Sequence, residues 1–331
     1  MTTDVIICSY VDLRRNYTDM PFLATMLEVQ KSECVSRAVH ALDAMPEKWI
    51  LYSLKDLSAG QVKELQSEGI LHSLQGLDPA SAVLVREDRT AAIYLLYEDH
   101  LCIRVYAAEG DVSGAVLRAK ALAGILSQEH AFARDDRIGW LTARPQFAGT
   151  GLQAGYCLHL PILSMMQQIR PITADIMKEH RFELQPWEPL ADKNPACLYT
   201  LRNLFTAFDG SDVLIRAVGR VAQGLANKET MLRDRILAKS ARSTYTDQVW
   251  RAYGVMRYAR RLTELEFLAF WSKVRLGVLA GILPPSLETV DALLIQTRCS
   301  RLMALPDGPR DEHALHFARA DAVRSALNGG N

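Results

Sequence analysis

A chain of 331 residues with 38 Lys+Arg, 38 Asp+Glu and 49% hydrophobic residues can bury a large core, in one large domain or two smaller ones. Its net charge is zero, its pI is about 7.1 and it has no basic block, so neither nucleic acid nor an anionic membrane is expected as a partner. The cysteines (Cys8, Cys34, Cys102, Cys157, Cys197 and Cys299) form no CxxC pair, which predicts reduced thiols and no metal site, and the N-terminus MTTDVIICSY lacks a signal pattern, so a cytoplasmic location is expected.

In chain order, Val5-Ile6-Ile7-Cys8 is a short strand candidate. Residues 23–45 place Leu23, Met26, Leu27, Val35, Ala38, Val39 and Leu42 at helical spacing. Trp49 to Tyr52 reads as a strand, and Asp56-Leu57-Ser58 starts a helix that ends near Gly69. Alternating runs over 82–86 and 91–96 flank the turn Glu87-Asp88-Arg89, a hairpin pattern. A helix follows over 111–130. The stretch from Ile138 to Pro161 then reads as a short strand, a loop punctuated by Gly149, Gly151 and Gly155, and an apolar helix that Thr150 would cap. Exposed amides beside a helix start favour an anion. Phe182 to Leu184 and Cys197 to Phe208 read as strands, and 211–239 as a long amphipathic helix. Beyond it the chain is mostly helical, broken by Pro284-Pro285 and by an exposed linker over 304–311.

Leu141, Thr142, Pro145, Gly149, Thr150, Gly151, His159, Leu160 and Pro161 keep the spacing of a guanidino-kinase signature, and within that family the chain resembles the bacterial protein arginine kinases. Those run from a threonine-rich strand through Cys-Pro-Thr-Asn and Gly-Thr-Gly to an arginine and then His-Leu-Pro. Here the cysteine is Arg144 and the arginine is Gln153. The segment Cys8 to Asn16 resembles Ser-Ser-Arg-x-Arg-x-x-Arg-Asn, whose first two arginines hold nucleotide phosphates. Arg15 and Asn16 match, but Tyr10 and Asp12 stand at the nucleotide arginines. The run from Tyr97 resembles Asn-Glu-Glu-Asp-His-x-Arg. Glu98 aligns with the acid that orients the guanidinium, Asp99 and His100 match, and Cys102 replaces the phosphate-gripping arginine, with Arg104 one same-face step beyond. Gln185 to Asp192 corresponds to a closing Arg-Gly-x-x-Gly-Glu loop. One alignment puts Trp187 at the arginine and Asp192 at the second acid, and another puts Gln185 and Leu190 there. Leu315 to Ala320 aligns with Arg-Asp-x-x-Arg-Ala of a phosphoarginine-reading pocket. Arg319 and Arg324 are candidate anion contacts there, unless Arg319 is simply an exposed helix arginine.

The resemblance implies an α+β guanidino-kinase fold. A curved, mostly antiparallel sheet flanked by helices would cover residues 1–230, and a helical C-terminal domain, for dimerisation or phosphoarginine binding, residues 231–331. Phosphoryl transfer from Mg-ATP requires neutralised phosphate charge and in-line positioning. Tyr10, Asp12, Cys102, Gln153 and Trp187 or Gln185 supply no cation at the family's phosphate positions, and each lost charge-assisted contact costs about 1.5–3 kcal/mol. The expected function is therefore a pseudokinase with no cofactor. It would bind a protein partner or an arginine-bearing client in quality control or regulation, as a homodimer or as a heterodimer with a related kinase. One alternative is an active ATP:guanidino phosphotransferase acting on protein arginine. It would use Mg-ATP, Glu98 and Asp192 as catalytic acids, and Arg14, Arg104 and Arg144 as substitute phosphate binders. The other is a phosphoarginine reader using Arg319 and Arg324 without turnover. Glu98-Asp99-His100 also reads as a structural hydrogen-bond hub, and His159 as a satisfied core histidine.

Overall fold

The computed structural model describes residues 4–71, 74–107, 110–178, 180–187, 194–206, 210–238, 242–309 and 311–328. The strands are β1 (Ile6–Arg15), β2 (Trp49–Ser53), β3 (Ala82–Arg86), β4 (Ala91–Leu95), β5 (Leu101–Tyr106), β6 (Arg134–Asp135), β7 (Gly139–Trp140), β8 (Leu152–His159), β9 (Phe182–Pro186) and β10 (Leu198–Asn203). Except for the small β6–β7 ribbon, they form one sheet in the order β2-β3-β4-β5-β1-β8-β10-β9, with every neighbouring pair antiparallel. The fold is α+β, as expected.

Strand alternation gives this sheet two unlike faces. Val11 and Leu13 of β1, Ile103 and Val105 of β5, and Leu152, Ala154 and Leu158 of β8 are buried in one apolar core. They pack beneath α1 (Glu28–Asp43), α3 (Val112–Leu126) and α6 (Ser211–Ala238). Each fully buried Val, Leu or Ile there contributes about 1.5–3 kcal/mol. The other face carries Tyr10, Asp12 and Arg14. One end of it is covered by α2 (Ala59–Ser67), whose Leu65 joins Val83, Val85 and Tyr94 in a separate cluster. The start of α2 holds a capping box between Ser58 and Gln61, a local signal that is plain in the sequence.

Residues 152–159 correct one expectation. The apolar run predicts a helix, but it forms β8, buried at every position. A strand covered on both faces loses its polar alternation, so the run cannot be told from a buried helix by period alone. Gly155 lies flat under the Tyr10 ring, where a Cβ would fall 2.3 Å from Tyr10 Cζ. Gly151, at φ 65°, turns the chain into β8 so close to β1 that a Cβ would meet the Arg14 carbonyl oxygen at 2.7 Å. The Thr150 hydroxyl accepts from the Leu152 N–H at 3.2 Å and caps no helix. The helix begins only at Pro161, as α4 (Pro161–Met165), and His159 closes the strand.

After α5 (Ile169–Lys178) and α6, the C-terminal helices are α7 (Arg242–Tyr258), α8 (Glu264–Leu279), α9 (Leu287–Gln296), α10 (Cys299–Met303) and α11 (Glu312–Asn328). They surround Trp271, whose indole N–H donates to the Val290 carbonyl at 3.0 Å. A continuous helix, α6, crosses the expected domain boundary at residue 230. Among the described residues, no helix is long and apolar enough to cross a membrane.

The two parts meet at Arg275. Its guanidinium donates to both oxygens of Asp291, at 2.7 and 3.0 Å, to the Asp4 carbonyl at 2.6 Å and to His159 Nδ1 at 3.2 Å. With Nδ1 accepting, the His159 proton sits on Nε2 and is given to Ser272 Oγ, 2.8 Å away. Burial, reinforced by the charges of Arg275 and Arg233, keeps this imidazole neutral. Replacing Arg275 by Met strips these acceptors of their partner. It is expected to lower stability by about 2–4 kcal/mol, read as a reduced urea midpoint. An unchanged midpoint would show that the junction contributes nothing.

Candidate functional site on the polar face of the sheet

Antiparallel register sets Asp12 opposite Arg104 on β5 and Gln153 on β8, and Arg14 opposite Cys102. The Asp12 carboxylate is buried, and Arg104 clamps it through Nε to Oδ1 at 2.7 Å and Nη2 to Oδ2 at 2.8 Å. The same guanidinium donates to the Tyr94 hydroxyl at 3.2 Å and lies 4.3 Å from the Tyr10 ring centre and 5.1 Å from that of Tyr94. Burial alone would push the Asp12 carboxyl up. The charge and N–H donors of Arg104 outweigh it and hold the group below the usual carboxylate range. Arg104, expected as a substitute phosphate binder, therefore has its charge taken up by Asp12.

Gln153, at a lost arginine position, accepts from Arg14 Nη2 at 3.1 Å and donates to the Asn203 carbonyl at 2.6 Å. Arg14 stacks on Phe147 at 4.0 Å, with its Nε 3.8 Å from Asp99. Its Nη1 is buried and has no hydrogen-bond partner among the described residues. Asp99 accepts from Asn16 Nδ2 at 2.7 Å and from the Ala143 N–H at 2.6 Å. Asn16 Oδ1 in turn accepts from the His100 N–H at 2.8 Å, and His100 Nδ1 accepts from the Tyr17 N–H at 3.0 Å. Asp99, His100 and Asn16 thus form the structural hub, with Glu98 outside it.

Glu98 forms an ion pair with Arg144, with the two side chains 40% and 54% exposed. It lines a cavity of about 380 Å³ together with Phe22, Leu23, Ala24, Thr142 and Ala143. Thr142 donates to the Arg144 carbonyl at 2.7 Å and so shapes the turn that presents this arginine. The acid expected to hold a guanidinium already holds one, from its own chain. The structure therefore sets Arg14 beside Asp99 and Arg144 on Glu98, and leaves Arg104 across β1 from Gln153, held by Asp12. Asp192 and Leu190 lie outside the described residues.

A larger cavity, of about 750 Å³, opens above Tyr10 between the sheet and α10. Arg86, Arg89, Arg118, Arg202, Arg298 and Arg301 line it, with Trp187 at one wall. Carboxylates meet some of them: Asp88 pairs with Arg86, Glu64 and Glu68 with Arg89, and Glu183 with Arg202. No sequence motif announced this rim, because its members come from distant loops and helices that only the fold brings together.

Arg319 and Arg324 line neither cavity. Arg319 is buried, not exposed as its simpler reading had it, and it donates to the Leu262 carbonyl at 3.2 Å and to Cys299 Sγ at 3.8 Å. Arg324 binds the Ala259 carbonyl and Asp321. Both hold the α7–α8 connection in place.

A magnesium triphosphate needs concentrated positive charge aimed at its oxygens. The phosphate positions here hold the Tyr10 ring, the Asp12 carboxylate, the Gln153 amide and Cys102, whose thiol is pushed up to about 12 by burial. These four positions offer it no cation, and the nearest arginines that could are those of the cavity rim. Among the described residues, no cluster of three His, Cys, Asp or Glu could hold a metal ion.

Residues 30–230 match the family described as ATP:guanido phosphotransferase, C-terminal catalytic domain, and residues 242–330 match the protein-arginine kinase McsB C-terminal domain. The chain is 26% identical to a protein-arginine kinase of Caldanaerobacter subterraneus, over 98% of this chain and 97% of the relative. It is 29% identical to the protein-arginine kinase of Desulforamulus reducens, over 98% and 92%. Among solved structures it resembles a lombricine kinase, with a TM-score of 0.59 at 17% identity, over 70% of this chain and 68% of that one. It also resembles the duplicated taurocyamine kinase of Schistosoma mansoni, with a TM-score of 0.60 at 16% identity, over 77% and 39%.

Asp12→Asn leaves Arg104 buried without a counter-charge. It is expected to cost about 3–5 kcal/mol by urea unfolding at neutral pH. The native Asp12 carboxyl titrates below its unfolded value of about 3.9, so its stabilisation is complete above that pH and fades as pH falls through the native value. The native protein should therefore lose stability below about pH 4 more steeply than Asp12→Asn, and equal acid limbs would refute the assignment.

Proposed function

This chain belongs to the ATP:guanido phosphotransferase family and carries a McsB-type protein-arginine kinase C-terminal domain, and from that premise we propose that it is a guanidinium-recognising member that does not transfer phosphate. In this reading it binds a protein partner or an arginine-bearing client in protein quality control or regulation. The C-terminal helices would join it to a second copy or to a related kinase.

The observation that carries the proposal is the Asp12–Arg104 pair. A carboxylate stands where the family places a phosphate-binding arginine, and the nearest guanidinium on that face is bound to it. The pair is neutral as a whole, so a polyphosphate entering beside it gains no net attraction at a position where the family supplies a positive charge. The guanidinium side of the chemistry is better kept. Glu98 lines an open cavity, and its partner Arg144 is half exposed, so an incoming arginine side chain can take its place.

A second reading, an active phosphotransferase on protein arginine, is favoured by the relatives named protein-arginine kinase and by the arginine rim of the larger cavity. In it, Arg298 and Arg301 would meet the anion that the lost positions no longer hold.

Calorimetric titration of the full chain with Mg-ATP separates the two. The proposal expects no heat of binding, whereas micromolar, magnesium-dependent binding would overturn it. Phosphoarginine found by mass spectrometry after incubation with ATP and an arginine-rich protein, and lost in Glu98→Gln, would establish the second reading. Arg144→Ala removes the internal competitor for Glu98. An exposed pair is worth about 0.2–1 kcal/mol, so this variant should bind an arginine-bearing peptide about 1.5–5-fold more tightly. Weaker binding would exclude Glu98 as the contact.

A further inference from the structure

We propose that Cys8 and Cys157 form a peroxide-reactive dithiol in the floor of the arginine-rimmed cavity, closing to a disulfide that ties β1 to β8. This inference is independent of whether the chain transfers phosphate.

The two residues are directly opposed in the antiparallel β1–β8 register, and both line the cavity beside Tyr10. Opposed strand residues place their Cβ atoms about 4.5–5.5 Å apart, close to the roughly 3.5–4.5 Å that a disulfide spans. A register irregularity falls between Ile6 and Cys8, where a bulge lets the backbone absorb the difference. The two thiols are close enough for each to shift the titration of the other.

Their environments divide the labour. Cys8 is exposed in the cavity, and Cys157 is buried beneath. The adjoining Cys157 thiol lowers the Cys8 thiol, with help from the charges of Arg298 and Arg104. Cys157 is held up by the adjoining Cys8 and by burial, so it remains the protonated partner. The accessible sulfur is thus the nucleophile, and the covered one stands ready to resolve it. Cys34 and Cys102 serve as internal controls, since burial pushes each thiol up to about 12.

The step balances with a hydroperoxide as oxidant. The Cys8 thiolate attacks a peroxide oxygen, forming an S–O bond as the O–O bond breaks, and the released hydroxide takes a proton to become water. Cys157 sulfur, giving up its proton, then attacks Cys8 sulfur, and the S–O bond breaks to release a second water. Two thiols lose two electrons in total, and one peroxide becomes two waters.

The reduced full chain would be treated with equimolar hydrogen peroxide, alkylated, and analysed intact and as non-reduced peptides. The expected result is loss of two hydrogens, a peptide joining Cys8 to Cys157, and reversal by dithiothreitol. Cys157→Ser should stop at a Cys8 sulfenic acid trapped by dimedone, and Cys8→Ser should leave Cys157 reduced. Full alkylation of both cysteines after peroxide, in protein whose circular dichroism is unchanged, would overturn the proposal. So would a sulfenic acid that persists at Cys8 in the native sequence, or a bridge that joins two chains instead.

Discussion

A carboxylate removed from water must be met by a cation, and at the centre of this sheet Asp12 is met by Arg104. Such a buried pair adds little stability over an apolar pair of the same shape, but losing either partner is severe. The pair therefore fixes its surroundings. The rings of Tyr10 and Tyr94 close over the guanidinium, and Gly155 must remain without a side chain so that the Tyr10 ring can lie flat. The charge on this face has been re-paired inside the protein. Arg104 stands one same-face step along β5 from Cys102, and Arg14 stands one such step along β1 from Asp12.

The motif around Asp99 is retained for a different reason. Asp99, Asn16 and His100 join the end of β1 to the turn before β5 and to the loop at Ala143, so the fold needs them whatever the chemistry. Burial pushes the Asp99 carboxyl up, and its hydrogen bonds to Ala143 and Asn16 only partly offset this. Glu98, one residue away, belongs to the surface and is free to hold Arg144 or a competitor. Adjacent residues in one motif thus answer to different constraints, one structural and one chemical.

Much of the fold was legible locally. The β3–β4 hairpin, the capped start of α2 and the long helix α6 each carry their signal in their own residues. The polar face was legible as a set of absences: Tyr10, Asp12, Cys102 and Gln153 could be read as lost cations. What replaced them could not be read, because Asp12 meets Arg104 only through a strand register set 92 residues apart. β8 was hidden because cover on both faces erased its alternation. Arg319 was hidden because a buried arginine on a helix looks like a solvated one until its carbonyl partner at Leu262 appears. The rim of Arg298 and Arg301 depends on how α10 settles above the sheet, which is long-range packing with no local code.

The Arg275 junction also bears on how the chain is made. The Asp4 carbonyl waits for a guanidinium 271 positions later in the chain, and its carboxylate waits for Arg233. β1, the spine of the sheet, likewise lacks one neighbour until β8 has been synthesised. During translation β1 therefore keeps an unpaired edge until β8 has been made, the kind of segment that nascent-chain chaperones shield. Contacts of such sequence separation make for slow closure, and the native topology is sealed only when the final helices arrive.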